Sequence, residues 1–178
     1  MAIVFWDVDT QVDFIMPDGK LYVTGAEQIL PSLEKLTECA RRTGRLIASV
    51  DDHEVDDEEL SDTPDFEQTF PPHCIHASEG QKKVPETAAL DPLWVSPDLE
   101  DVQVLENRVL GHSGEIIFRK RKFDVFSNPN VEPVLDVVAI DEIFLYGVAL
   151  DVCNRFAIEG LLSRRVAPIS LVRDATQA

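Results

Sequence analysis

The chain has little cysteine, little positive charge and no long apolar run, and each shortage removes a class of protein. Its only thiols are Cys39, Cys74 and Cys153, an odd number with no Cys-x-x-Cys pair. That argues against a disulfide framework or a cysteine-built zinc knuckle, so each thiol needs its own account. Lysine and arginine number 16 against 33 acidic residues, a formal net charge of -17. Such a surface repels a polyanion unless a basic face is segregated, and none stands out, so nucleic acid is discarded as a partner. No stretch approaches the roughly 18 apolar residues of a membrane helix. The N-terminus opens on a strand-like run, not on a basic segment followed by an apolar one. The expectation is a cytoplasmic protein with no membrane partner. Internal repeats and low-complexity tracts are also missing.

What is present fits a single soluble α/β domain over residues 1 to 178. Hydrophobic residues make up 44% and charged residues 28%, the balance of a globular chain with a sizeable core. Four apolar, β-branched runs, Ala2 to Val8, Arg45 to Val50, Glu142 to Val148 and Ala167 to Val172, read as strands covered on both faces. Val102 to Leu105 and Glu115 to Phe118 are weaker strand candidates. Between the first two runs Leu30, Leu33, Leu36 and Ala40 recur at helical spacing, with Pro31 suited to a first turn and Gly44 to a C-terminal cap. Phe156, Ala157, Leu161 and Leu162 repeat that period after the third run, with Asp151 placed to cap the first turn. Strand alternating with helix predicts a doubly wound, mostly parallel sheet with helices on both faces. Residues 51 to 114 carry Pro64, Pro71, Pro72, Pro85, Pro92 and Pro97 and read as a long ordered excursion. After the last run, at Arg173-Asp174-Ala175-Thr176, a covering helix is expected, which makes a truncated C-terminus one reading.

In an open parallel sheet, ligands bind outside the carboxyl ends of the strands. Asp9, Gln11 and Asp13 follow the first strand, Asp51 and His53 the second, Lys120 and Lys122 the Glu115 run, and Cys153 the Glu142 run. Cys153 falls in the first turn of a helix, where free N–H groups and the dipole favour a thiolate, lower its pKa and can receive an oxyanion. Most free cysteines are small buried hydrophobes, and Cys39, inside an amphipathic helix, keeps that reading. Asp9 is a candidate base for the thiol, and Lys120 and Lys122 are candidate cations. Taken singly, a carboxylate after a strand is more often a turn residue, and Lys-Arg-Lys is usually a solvated face. Asp51, His53 and His73, the last behind the rigid Pro71-Pro72 pair, form a nitrogen and oxygen donor set suited to Zn²⁺, Fe²⁺ or Mn²⁺. His76 and His112 read as ordinary residues, and the ten acidic residues from 51 to 67 as a solvated loop.

Taken in order, these residues resemble the isochorismatase-like cysteine hydrolases, nicotinamidase branch. Asp9 to Phe14 is similar to the D-x-Q-x-D-F opening, Asp51-Asp52-His53 to the D-x-H metal motif, and Gly147 to Cys153 to the G-x-A-x-D-x-C nucleophile turn. Thr63-Pro64-Asp65 followed by Phe70-Pro71-Pro72-His73-Cys74 resembles the T-P-D and W-P-P-H-C stretch. Lys120 to Phe126 resembles K-x-R-[YF]-[SD]-x-F. The resemblance implies a catalytic triad of Asp9, Lys120 and Cys153, with Lys122 as runner-up for the lysine. It implies a cis peptide between Val148 and Ala149, and an oxyanion hole from the amides of Ala149 and Cys153. It also implies a divalent metal (Zn, Fe or Mn) that holds the ring nitrogen, and Phe14 and Phe70 around the ring. The expected activity is hydrolysis of nicotinamide to nicotinate and ammonia through a thioester, a step of pyridine nucleotide salvage. Departures are visible: Glu59 stands where a third metal-binding histidine is common, Phe70 where tryptophan is frequent and Val152 where a polar residue is usual. The span from His73 to Lys120 is also long for the family.

Three alternatives stay beside that reading. One keeps the fold and metal but acts on another small amide or carbamoyl compound; another is isochorismate hydrolysis, disfavoured by the P-P-H-C stretch and by the acidic surface. The third is an idle relative that binds a small ligand, against which stands the complete Asp9, Lys120 and Cys153 set. Homo-oligomers are usual among such folds, so self-association is expected without a nameable interface.

Overall fold

The computed structural model describes residues 1 to 178. Six strands, β1 (Ile3–Val8), β2 (Arg45–Asp51), β3 (Pro92–Val95), β4 (Glu115–Lys120), β5 (Glu142–Val148) and β6 (Ile169–Gln177), form one sheet in the order β3-β4-β2-β1-β5-β6. Every neighbouring pair is parallel. The helices are α1 (Val12–Ile15), α2 (Leu30–Thr43), α3 (Val102–Leu110), α4 (Val131–Val137) and α5 (Arg155–Ser163). No helix is long and apolar enough to cross a membrane.

The side-chain alternation of the central strands assigns the layers. Val4, Trp6 and Val8 of β1 pack with Ile116 and Phe118 of β4 and Ile143 and Leu145 of β5 against Leu105, Val109, Val131, Val134, Ala157 and Leu161. That face is covered by α3, α4 and α5. Phe5 faces the other way, with Leu46, Ala48 and Val50 of β2, toward Leu33 and Ala40 of α2 and Phe14 and Ile15 of α1. Both faces are therefore dry, which is why these strands read as near-continuous apolar runs. β2 to β4 lie on one side of β1, and the chain then crosses to place β5 and β6 on the other, so the topological switch falls beside β1. The crevice of a doubly wound sheet opens at such a point.

Several sequence expectations need correction. Val102 to Leu105 is no strand but the start of α3: the Asp101 side chain accepts from the Val104 N–H at 3.0 Å and caps the helix, overriding the β-branched residues. The excursion from 51 to 114 holds that helix and also β3, an edge strand that tolerates Pro92 at its first position. Arg173 to Thr176 does not lie beyond the last strand, where a covering helix is expected, because β6 continues to Gln177 after a bulge that shifts its register on β5 between Leu145 and Gly147. Asp151 does not cap α5. It is exposed and makes no cap bond, and Leu150–Asn154 forms a π-turn in which the Asn154 N–H donates to the Ala149 carbonyl at 3.1 Å.

Candidate active site

Four strand ends deliver the polar residues to one place. Asp9 follows β1 directly, Asp51 ends β2, Lys120 ends β4, and Cys153 lies in the π-turn after β5. The turn starts after Gly147, whose φ is +120°; a Cβ there would lie 2.0 Å from the Val8 carbonyl oxygen, so only glycine lets β5 close on β1. The Val148–Ala149 peptide is cis, as expected.

Lys120 is the hub. Its side chain is 1% exposed, its Nζ lies 2.9 Å from Asp9 Oδ2 and 3.8 Å from Cys153 Sγ, and it also pairs closely with Asp51. Burial opposes the ammonium, yet Asp51 and then Asp9 hold its pKa well above the usual lysine range. Ser49 Oγ donates to Asp9 Oδ1 at 2.7 Å, and Asp9 itself sits at φ 50°, a left-handed conformation costing a non-glycine residue on the order of 1 kcal/mol or more. Burial raises the Asp9 pKa, with Lys120 pulling it back. Lys122, by contrast, is exposed and pairs with Glu58 at 3.5 Å, so it takes no part in the cluster.

Cys153 departs from its sequence expectation. Burial pushes the thiol pKa well up; Lys120 opposes this, while Asp9 and Asp51 add to it. Two carboxylates and the loss of water outweigh one ammonium, which favours the protonated thiol over the thiolate.

The second cluster adjoins the first through Asp51. Asp51, His53 and His73 present ligand atoms within 4.8 Å of one another, all buried. His73 Nδ1–H donates to the Pro71 carbonyl at 2.8 Å and His53 Nδ1 meets Asp57 Oδ2 at 3.2 Å, leaving both Nε2 atoms turned inward. His73 Nε2 lies 3.6 Å from Asp51 Oδ2; His53 Nε2 lies 3.9 Å from the same oxygen and 3.8 Å from Glu59 Oε2, and has no hydrogen-bond partner. An orphaned, fully buried imidazole nitrogen among carboxylates suits a divalent cation, and the outer contacts on each Nδ1 are the usual support for a histidine ligand. Burial by itself would raise the Asp51 pKa, but Lys120 and the two histidines hold it far below the usual carboxylate range. Burial and then Asp51 push Glu59 up to about 7, while its Oε1 accepts from the Phe123 N–H at 2.9 Å. His76, bound to Asp52 at 2.7 Å, and His112, bound to the Asp91 carbonyl, stay outside the group, as expected. The acidic segment is mostly solvated, with Asp51, Asp52 and Glu59 as its buried exceptions.

A cavity of about 160 Å³ opens on Cys153, with Asp51 and His73 as polar members of an otherwise apolar wall. Phe14 and Phe70, the residues that the resemblance sets around a ring, line it, and so do Ala149 and Val152. Leu21, Tyr22, Val23 and Phe123 line it as well and were missed. Phe123 stands inside the Lys120 to Phe126 stretch and its position could have flagged it. The Leu21 to Val23 loop has no periodic or motif signal. Apolar cavities of ~150 Å³ admit one benzene ring, which sets the scale of the occupant. No lysine or arginine lines the cavity, and the buried Lys120 ammonium is already matched by two carboxylates.

The whole chain, residues 1 to 178, matches the isochorismatase domain. The chain belongs to the isochorismatase family. It is 25% identical over 170 residues to the nicotinamidase/pyrazinamidase of Mycobacterium tuberculosis (strain ATCC 25618 / H37Rv), covering 93% of this chain and 81% of that one. Two solved structures share the fold. One is the N-carbamoylsarcosine amidase of Thermoplasma acidophilum, with a TM-score of 0.74 at 22% identity over 100% of this chain and 85% of that chain. The other is the pyrazinamidase of Pyrococcus horikoshii in complex with zinc, with a TM-score of 0.71 at 20% identity over 100% and 87%. The six-stranded parallel sheet and its covering helices are the family's architecture in this chain.

Proposed function

We propose that this isochorismatase-family chain, acting as one domain, is a metal-containing cysteine amidohydrolase that converts nicotinamide to nicotinate and ammonia in the cytoplasm. The observation that carries the reading is the meeting of Asp9, Lys120 and Cys153 below a ring-sized apolar cavity whose wall also holds Asp51 and His73. Nothing in the packing of a sheet requires a buried thiol, ammonium and carboxylate together, and buried charges are costly unless used.

In this reading Asp9 takes the Cys153 proton as the sulfur attacks the carboxamide carbon, because a carboxylate lifted by burial is the better base for a thiol that is itself lifted. Lys120 offsets the charge that moves between them, and the amides of Ala149 and Cys153 receive the oxyanion. Asp9 then protonates the leaving nitrogen, the C–N bond breaks, and ammonia departs to leave a thioester on Cys153. Water, deprotonated by Asp9, hydrolyses it; nicotinate forms and the thiol is restored. Asp51, His53, His73 and Glu59 would hold a Zn²⁺, Fe²⁺ or Mn²⁺ ion, which supplies a Lewis-acid anchor for the ring nitrogen. Phe14 and Phe70 flank the ring.

Another small neutral amide is the second reading. The absence of lysine and arginine from the cavity wall disfavours carboxylate-bearing carbamoyl compounds and isochorismate, since no basic side chain there would pair with their carboxylates. Ammonia release from a panel of amides tests both. Release from nicotinamide, abolished in Cys153→Ala and Asp9→Asn, is expected; a wild-type protein that releases none from nicotinamide ends the nicotinamidase reading.

A further inference from the structure

Gln11 and Asp13 belong to the opening motif, yet the amide chemistry uses neither. Gln11 extends the β1–β2 pairing by one rung: its Nε2 donates to the Asp51 carbonyl at 2.8 Å and its Oε1 accepts from the Asp51 N–H at 2.7 Å. Asp13 does something less local. Its carboxylate is buried, and its hydrogen bonds come from the main chain of two separate loops. Oδ2 accepts from the Cys74 N–H at 2.7 Å and Oδ1 from the Lys20 N–H at 3.0 Å.

Each amide belongs to a different wall of the site. Cys74 follows His73, and its carbonyl accepts from the His53 N–H at 3.1 Å, so the residue is gripped between the two imidazole-bearing segments. It is held there at φ 44°, a conformation that a non-glycine residue keeps only when its surroundings impose it. Lys20 opens the segment Leu21 to Val23 that lines the cavity, and the Leu21 N–H donates to the Asp13 carbonyl at 3.1 Å. Gly80 closes over the carboxylate: a Cβ there would lie 2.1 Å from Oδ2, so the Asp13 side chain has one place to be.

We infer that Asp13 is a positioning residue that couples the metal-holding loop at His73 to the cavity wall at Lys20 to Val23. An ion bound by His73 fixes the Cys74 amide, the amide fixes the carboxylate, and the carboxylate fixes the wall that packs on the occupant. By linkage, an occupant that orders this wall tightens the ion to the same degree. The inference rests on the metal part of the proposed function and not on the amide reaction.

Hydrogen exchange on wild-type protein, stripped with a chelator and then reloaded with Zn²⁺, tests it. Protection is expected to rise together at Cys74 and at Lys20 and Leu21, none of which ligates the ion. Protection that rises at Cys74 and stays flat at Lys20 and Leu21, or that rises nowhere, overturns the coupling. Asp13→Asn keeps the size but leaves one acceptor for two amides. Its Co²⁺ affinity, read from visible absorption, is expected to fall about 10- to 100-fold, the usual loss when a ligand's outer support is removed. Unchanged Co²⁺ affinity with only a lowered Tm would make Asp13 a structural residue and sink the idea. If Asp13→Asn does not fold, the wild-type exchange still decides. Neither readout uses nicotinamide, so a failed amidase assay leaves the coupling measurable on its own.

Discussion

Lys120 Nζ lies 2.9 Å from Asp9 Oδ2, with both side chains removed from water, and this ion pair is what permits three charged groups to share one dry pocket with a thiol. Removing the cation strands Asp9 and Asp51 as buried anions. Lys120→Met should therefore destabilise the fold by about 3–5 kcal/mol, the cost of breaking a buried pair from one side, and cut amide turnover by at least ~10²-fold. Lys122→Met, exposed beside Glu58, should change stability by less than about 0.5 kcal/mol and leave turnover intact. Urea unfolding and an ammonia assay on both variants check the contrast. Equal effects from the two would mean the wrong lysine has been placed in the cluster.

The donor set around Asp51 predicts how the metal-free protein responds to pH. Glu59 is raised to about 7 and His73 is raised by Asp51 against opposing burial, so the folded state holds protons there that the unfolded chain gives up earlier. Groups with raised pKa values contribute stability below their unfolded values and lose it as pH climbs through the folded ones. His53, lowered by burial, acts in the opposite sense but below about 6.5. Between about pH 6.5 and 8, then, chelator-treated protein should lose stability as pH rises. Added Zn²⁺ should cancel or reverse the slope, because the ion takes the protons' place. Thermal melts across that window, with and without metal, read the sign; a metal-free protein that gains stability there would contradict the burial of Glu59.

Much of this arrangement was legible in the sequence, for physical reasons. Buried parallel strands are near-continuous runs of Val, Ile, Leu and Phe, so β1, β2 and β5 were found with ends within one residue, and the residues just past them named the polar cluster. Lys120 and Cys153 needed motif order as well as pattern, since a lysine in Lys-Arg-Lys looks solvated until the strand beneath it is placed. What stayed hidden was set by tertiary contact. The Leu21 to Val23 wall hangs from Asp13 and Phe14 by main-chain bonds that leave no periodicity. The buried pair of Asp7 with Lys83 at 3.0 Å, supported by Thr10, joins residues far apart in the chain. The direction of the Cys153 pKa was misread because helix position is visible in sequence, whereas the two carboxylates and the exclusion of water are not.

Gly147 offers a test of how β5 is joined to the turn that carries Cys153. Its φ of +120° is a region that L side chains avoid, and a methyl there would meet the Val8 carbonyl at 2.0 Å. Gly147→Ala should destabilise by about 1–3 kcal/mol from the backbone conformation, with the steric clash adding to it. Because β1 carries Asp9 one residue beyond Val8, turnover in the surviving folded fraction should fall too. A fully stable, fully active alanine variant would mean that the β1–β5 approach is looser than described.

Alkylation separates the resting state of Cys153 from its role in turnover. Burial, with Asp9 and Asp51 adding to it, holds the thiol protonated against the pull of Lys120. The rate of inactivation by iodoacetamide should accordingly keep rising with pH beyond the ordinary thiol value of about 8.5, with no plateau near neutrality. Asp9→Asn removes one of the charges that disfavour the thiolate while leaving Lys120 in place. At pH 7 that variant should be alkylated faster than wild type even though its amide turnover is lost, because a base for the reaction and a repulsive charge on the resting thiolate are the same carboxylate. Slower alkylation in Asp9→Asn would show that Asp9 assists attack on iodoacetamide as a base and that this outweighs its repulsion of the thiolate, overturning the expectation.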